Sequence, residues 1–338
     1  MSASSGTWPS GTSDRDPVRS VSTWALAVRR LAQAVPLLLI VSVVGFTLLH
    51  LVPGGPLDVY LASPNVRPED ILRLRKSFGL DEPLPVQYLA WLAAFVRGDW
   101  GYSFSDGRPV LTRLMERVPA TLELMVSALS IALVMALAVA LWRAIHPRGR
   151  TAAVVDAISV AGISLPVFWL GLVAQLVFAV ALRWLPSSGR ATFEDAGFTD
   201  RFRHLVLPAL VLATVHVAAW TRYLAASLDG GRSAPWLRAA RSRGVPRWSL
   251  LAHHALRPAL LPFVTVVLLD AALLVSGAVV TESVFAWPGL GGLFAEGLAR
   301  RDYALLMAFL MLTSTAIVAL NLLADVAYRW IDPRLREA

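Results

Sequence analysis

The stretch TLELMVSALSIALVMALAVALW, Thr121–Trp142, carries one charged residue, Glu123, in a run long enough to cross a bilayer as a helix. About 20 apolar residues at 1.5 Å each match a hydrocarbon core of about 30 Å. Leu31–Val52, Ala157–Leu182, Leu205–Leu224, Ala259–Val280 and Ala304–Ala327 read the same way. Two of these are weaker: the fourth span carries His216 and the fifth carries Asp270. The expected fold is therefore an all-α integral membrane protein with six transmembrane helices. Composition agrees. Of 338 residues, 56% are hydrophobic and 16% charged, and mean hydropathy is +0.60. A soluble domain carries about 25% charge, and disorder requires low hydrophobicity. The first run does not read as a cleaved signal peptide. It is too long, follows a polar stretch and lacks a small-x-small cleavage pattern.

Net charge is +8, and every cation except Lys76 is arginine. Cations concentrate in alternate connections. Arg15, Arg19, Arg29 and Arg30 precede the first span, and Arg143, Arg148 and Arg150 lie between the second and third. Arg222, Arg232, Arg238, Arg241, Arg243, Arg247 and Arg257 lie between the fourth and fifth, and Arg329, Arg334 and Arg336 follow the sixth. The opposite short loops hold Arg190, Arg201, Arg203, Arg300 and Arg301. By the positive-inside rule both termini and the 222–258 loop are cytoplasmic. Topology thus accounts for the basic excess, and no nucleic-acid partner is expected. Cysteine is absent, which excludes disulfides, thiolate metal sites and cysteine nucleophiles. No metal site or cofactor is expected in this chain.

The expected organisation is a disordered cytoplasmic tail over 1–28, a first span over 29–52, an extracytoplasmic segment over 53–118, and a core over 119–338 with an inner loop at 227–258. In the outer segment PGGP ends the first helix. Three short helices follow: one from Pro68, with Ile71, Leu74 and Phe78 on one face and Gly79 as its stop, then Pro85–Val96, then Arg108–Val118. In the inner loop Ser233 and Pro235 open PWLRAARSRG, and Gly244 closes it. Trp236, Ala239, Ala240 and Arg243 recur at helical spacing. From these residues alone, an amphipathic helix lying on an anionic lipid surface is the first expectation, ahead of a docked partner.

RAARSRGVPRWSLLAHHALRPALLP, Arg238–Pro262, resembles the signature cytoplasmic loop of binding-protein-dependent ABC importer permeases, where Glu-Ala-Ala precedes a glycine. Here the triplet is Arg238-Ala239-Ala240 and the glycine is Gly244, so the acidic position is an arginine. HALRPALLP, His254–Pro262, is similar to the oligopeptide/dipeptide branch. LLHLVPGGP (Leu48–Pro56), FGLDEPLPVQYLAWL (Phe78–Leu92), GDWGYSFSDGRPV (Gly98–Val110), RVPATLEL, GISLPVFWLGL, TESVFAWPGLGGL, RRDYALL and NLLADVAYRWIDPRLR resemble the family in the same order.

The resemblance implies a type I ABC importer permease in a bacterial inner membrane, moving peptides or similar small solutes. It implies a second homologous permease, two cytoplasmic ATPases that bind ATP and Mg, and an extracytoplasmic solute-binding protein. Trp236, Arg238, Ala239, Ala240, Arg241 and Gly244 would couple to an ATPase. Asp99, Trp100, Tyr102, Asp106 and Trp287 are candidates for binding-protein contact. Asp270, His216, Gln175 and Asn321 are the polar candidates for the solute path. The chain is not expected to hydrolyse ATP itself. A phosphate loop needs Gly-Lys-Ser/Thr after glycines, and the sole lysine, Lys76, follows Arg75. The alternative is an ion-coupled secondary transporter, for which one central carboxylate and one histidine are few groups. Glu123, Asp156, Glu282 and Asp325 sit near span ends, where water is expected to reach them. A hydrolase built on Ser164 has no histidine nearby in sequence.

Overall fold

The structure, a computed structural model, describes residues 23–51, 67–77, 79–146, 150–192, 197–231 and 235–331. Backbone groups in hydrocarbon must pair within their own segment, and the described residues of the apolar runs are helical except at the break Leu165–Pro166 and at the end of the third run, Leu182. Helices α1 (Thr23–Leu51), α4 (Val110–Ile145), α7 (Phe198–Gly231), α9 (Leu256–Val284) and α11 (Tyr303–Ile331) are each long and apolar enough to span a membrane. Shorter helices include α2 (Pro68–Ser77), α3 (Leu84–Val96), α8 (Pro235–Ser242) and α10 (Leu290–Ala299), and a helical turn Arg247–Ser249 with a π-helical stretch Leu250–Ala255 leads into α9. Among the described residues there is no strand, only the isolated bridge Tyr102–Pro109.

The third span departs from expectation. α5 (Arg150–Ser164) and α6 (Val167–Ala174, continuing as a π-helical stretch to Ala181) meet at 105° instead of forming one straight helix over Ala157–Leu182. Pro166 lacks an N–H and disfavours helical geometry at Leu165. Taken as one bent span, the pair brings the total to six.

Two other boundaries move. α1 begins at Thr23, so residues 23–28 are helical and do not belong to a disordered tail; residues 1–22 lie outside the described residues. The expected separate helix Arg108–Val118 is the first part of α4, which runs through Pro119 without a break. PGGP, Phe78 and the side chains of Ile71 and Leu74 are also outside the described residues. Gly79 and Gly98 end α2 and α3 at φ +63° and +87°.

The most extensive helix contact is between α4 and α7. Ala120, Leu124, Ala128, Ala132, Ala136, Ala140 and Ala144 recur every fourth residue, and none is more than 5% exposed. They share one apolar cluster with Ala209, Leu212, Ala213, Trp220, Leu224 and Leu228 of α7. Lipid chains are as apolar as leucine, so helices in a bilayer gain by close approach over small residues. α3 packs by an aromatic ladder, with Phe46–Tyr88 ring centroids 5.5 Å apart, Trp91–Phe95 5.4 Å and Phe95–Trp100 4.9 Å.

Candidate functional site

α8 sits in the connection between α7 and α9. Leu237 and Ala240 are buried in the α4–α7 core with Leu250 and Ala255. Arg238, Ala239, Ser242, Arg243 and Gly244 are exposed. The expected common face of Trp236, Ala239, Ala240 and Arg243 is therefore corrected. Ala239 and Ala240 are about 100° apart around the helix, one outward and one inward. The side chains of Trp236 and Arg241 lie outside the described residues, as does Ser233. Gly244 has φ +78°, and the Val245 N–H donates to the Ala240 carbonyl at 3.4 Å. This is a left-handed helix stop, which glycine enters without a side-chain penalty.

Of the four path candidates, Asp270 and His216 meet at one indole, and Gln175 and Asn321 lie apart from them. Asp270 Oδ2 on α9 accepts a hydrogen bond from Trp220 Nε1 on α7 at 2.7 Å. His216 lies edge-on to the same indole, centroids 5.5 Å apart, and Phe263 approaches it at 6.1 Å. Gln175 is elsewhere: its Nε2 donates to the Ser187 and Val284 carbonyls at 2.8 and 2.9 Å, tying the 182–192 loop to the end of α9. Asn321 lines a groove between α1 and α11, beside the Arg30–Asp325 ion pair of 2.8 Å. Ser164 Oγ donates to the Val160 carbonyl at 2.9 Å, a local helix bond.

On the outer segment, Asp99 caps the Gly101 N–H at 3.0 Å, and Trp100 stacks on Phe95. Tyr102 is 62% exposed. Asp106 is exposed and accepts from the Arg108 N–H at 3.1 Å. Partial burial opposes the Asp106 charge, yet the Arg108 N–H, the Ser103 hydroxyl and the Arg113 and Arg108 guanidiniums hold its carboxyl below the ordinary range. Trp287 is corrected from a surface candidate: it is 1% exposed and donates from Nε1 to the Ala120 carbonyl at 2.9 Å.

Three charged hubs escaped the sequence reading. Arg113, 6% exposed, donates to Ser103 Oγ at 2.9 Å and Glu296 Oε1 at 3.3 Å, and lies 4.0 Å from the fully buried Asp302. Asp302 also accepts from Ser103 Oγ, and from the Leu305 N–H at 3.2 Å as the cap of α11. Glu282 is buried as well, and does not reach interfacial water. It accepts from Thr121 Oγ1 at 2.6 Å and from the Gly291 N–H at 2.5 Å, in the first turn of α10. A Cβ at Gly289 would overlap the Glu282 carboxylate, and one at Gly291 would overlap Val279. Arg143 joins Asp156 of α5 at 2.8 Å and Asp229 of α7 at 2.7 Å. A readable signal existed only for Glu282 and Asp302, which stand inside the quoted TESVFAWPGLGGL and RRDYALL stretches.

The arrangement is a helical bundle with a short polar helix held at one end and a hydrogen-bonded cap at the other. Comparison with known proteins gives that arrangement a family. Residues 109–337 match the binding-protein-dependent transport system inner membrane component, and residues 24–125 match the N-terminal part of the membrane component. The chain is 35% identical over 313 residues to the oligopeptide transport system permease protein AppB of Bacillus subtilis, covering 92% of this chain and 99% of the relative. A putative peptide permease protein of Brucella ovis is 37% identical, covering 91% and 98%. The dipeptide transport system permease protein DppB of Escherichia coli is 32% identical over the same shares. Such a component works with an ATPase and a solute-binding protein. The chain belongs to the family of binding-protein-dependent transport system inner membrane components, the multi-pass permease subunits of ABC importers.

Proposed function

We propose that this permease imports peptides or similar small solutes across a bacterial inner membrane, with both termini and α8 on the cytoplasmic side. It pairs with a second, homologous permease. Two ATPases bind ATP and Mg, and each grips one permease through the short helix between α7 and α9. A solute-binding protein delivers cargo to the outer face, near Asp99, Trp100, Tyr102 and Asp106. Closure of the ATPases draws the two short helices together, and the bundle rocks from inward-open to outward-open. The peptide cargo is supported by the names of the relatives.

The single observation that carries the coupling role is the construction of α8. Leu237 and Ala240 fix it to the α4–α7 core, while Arg238, Ala239, Ser242 and Arg243 face outward. A rigid lever needs both an anchored side and a free side. The ion-coupled reading finds less support, because Asp270 is bonded to Trp220 while Gln175 and Asn321 lie in other regions. The test is uptake of labelled di- and oligopeptides by the reconstituted complex, with and without ATP. ATP-dependent uptake is the expected outcome. Uptake driven by a pH gradient without ATP would overturn the proposal.

A further inference from the structure

We infer that the outward face of α8 docks into an acidic groove on the ATPase subunit, with carboxylates facing Arg238 and Arg243. This inference rests on the coupling role proposed above and names the chemistry of its partner. At about 100° per residue, the exposed side chains fall around the helix in the order Arg238, Ser242, Ala239, Arg243. Leu237 and Ala240 occupy the opposite side and are 4% and 1% exposed. The free face is thus a floor of two small residues flanked by two guanidiniums. Small residues admit close backbone approach, and guanidiniums match carboxylates in a two-point geometry.

Among the described residues no carboxylate neutralises this face. From residue 230 to 269 the sequence holds no Asp or Glu. Asp156 and Asp229, the acids on the adjoining ends of α5 and α7, both bind Arg143. Neither Arg238 nor Arg243 forms an ion pair among the described residues; the Arg243 Nε donates to the Ala239 carbonyl at 3.3 Å. An anionic bilayer surface is the competing occupant. A helix that lies on lipid needs an apolar face to insert, and the buried apolar side chains described for α8, Leu237 and Ala240, face the core with Leu250 and Ala255. The observations therefore favour a protein groove.

The experiment uses the purified permease–ATPase complex in nanodiscs of neutral phosphatidylcholine and, in parallel, of phosphatidylcholine with phosphatidylglycerol. The double variant Arg238→Glu/Arg243→Glu is compared with Gly244→Val for ATPase retention and for ATP hydrolysis stimulated by loaded solute-binding protein. Retention of the wild type should fall with salt, and the double variant should lose about tenfold or more in either lipid. Replacing carboxylates of the ATPase groove with arginine should restore it. Full retention in the double variant, while Gly244→Val uncouples, would overturn the acidic groove and leave the coupling role standing. Unchanged coupling in both variants would overturn the coupling role itself. A charge effect confined to phosphatidylglycerol discs would assign the face to lipid and overturn the inference.

Discussion

Arg113, Asp302, Glu282 and Asp270 are each costly to place in a low-dielectric bundle, and each is held by a named partner. For Arg113 the partners are Ser103, Glu296 and the buried Asp302. Removing the guanidinium leaves the Asp302 carboxylate without its nearest cation, and breaking a buried pair in this way costs about 3–5 kcal/mol. Arg113→Ala should therefore lower the unfolding temperature of the detergent-solubilised protein. Adding Asp302→Asn should recover part of the loss, since the stranded charge is then gone. Equal stability of the single variant and the wild type would remove the network from the account of stability. Asp270 carries a different expectation. Its Oδ2 is engaged by Trp220, so Asp270→Asn preserves an acceptor for the indole while deleting the charge. If Asp270 lines the solute path, uptake of cationic peptides should fall and that of neutral peptides of the same size should hold. Equal losses, with a lower melting temperature, would make Asp270 a structural tie between α7 and α9. No change in either measurement would remove it from both roles.

Among the elements, α4 shows most directly what the sequence made legible. Its span was evident from Thr121–Trp142, but the alanine ridge from Ala120 to Ala144 was not singled out. Hydropathy scores alanine as one more apolar residue, whereas packing depends on its size. The spacing of four was present in the sequence throughout. Pro166 likewise marked the break between α5 and α6, yet a window of apolar residues reads straight across a proline. α8 was placed correctly by Pro235 and Gly244, but its inner side is Leu237 with Ala240. Neither periodicity nor composition says which arc of an eight-residue helix meets a core built from distant segments. The Arg113 hub was out of reach for the same reason, because Arg113 and Asp302 are brought together only by the fold. Two predictions belong at this scale. Ala132→Leu or Ala136→Leu should overpack the α4–α7 contact and cost about 1–3 kcal/mol, while Val134→Leu, at a position 66% exposed, should be near neutral in the same unfolding measurement. Gly244→Val should leave the protein inserted but impair coupling, since a β-branched residue is strained at φ +78°. Wild-type ATP-driven uptake in Gly244→Val would remove the helix stop from the mechanism.

For the whole molecule, the side of the membrane on which α8 lies depends on whether the bent pair α5–α6 crosses or turns back. The charge pairs argue that it crosses. At one end Arg143 of α4 holds Asp156 of α5 at 2.8 Å. At the other, Arg190, which follows α6, donates from Nε to Glu123 of α4 at 3.0 Å. Glu123 and Arg143 are separated by about 30 Å along a helix rising 1.5 Å per residue, which is the thickness of the hydrocarbon core. The bent pair therefore travels the length of α4 and ends at the face opposite its start. The 182–192 loop stays at that far face, with Gly189 N–H bonded to the Phe285 carbonyl at 2.9 Å. A crossing pair puts α8 and the chain start on one side and the Tyr102 loop on the other. A re-entrant pair would instead place α8 on the same side as Tyr102. The absence of cysteine makes the distinction direct. Single variants Tyr102→Cys, at a site 62% exposed, and Ala239→Cys, on the exposed face of α8, can be probed in intact spheroplasts with a membrane-impermeant maleimide. Tyr102→Cys should label before permeabilisation and Ala239→Cys only after it. Labelling of both before permeabilisation would mean that α5–α6 turns back. Labelling of Ala239→Cys alone would invert the orientation read from the arginines.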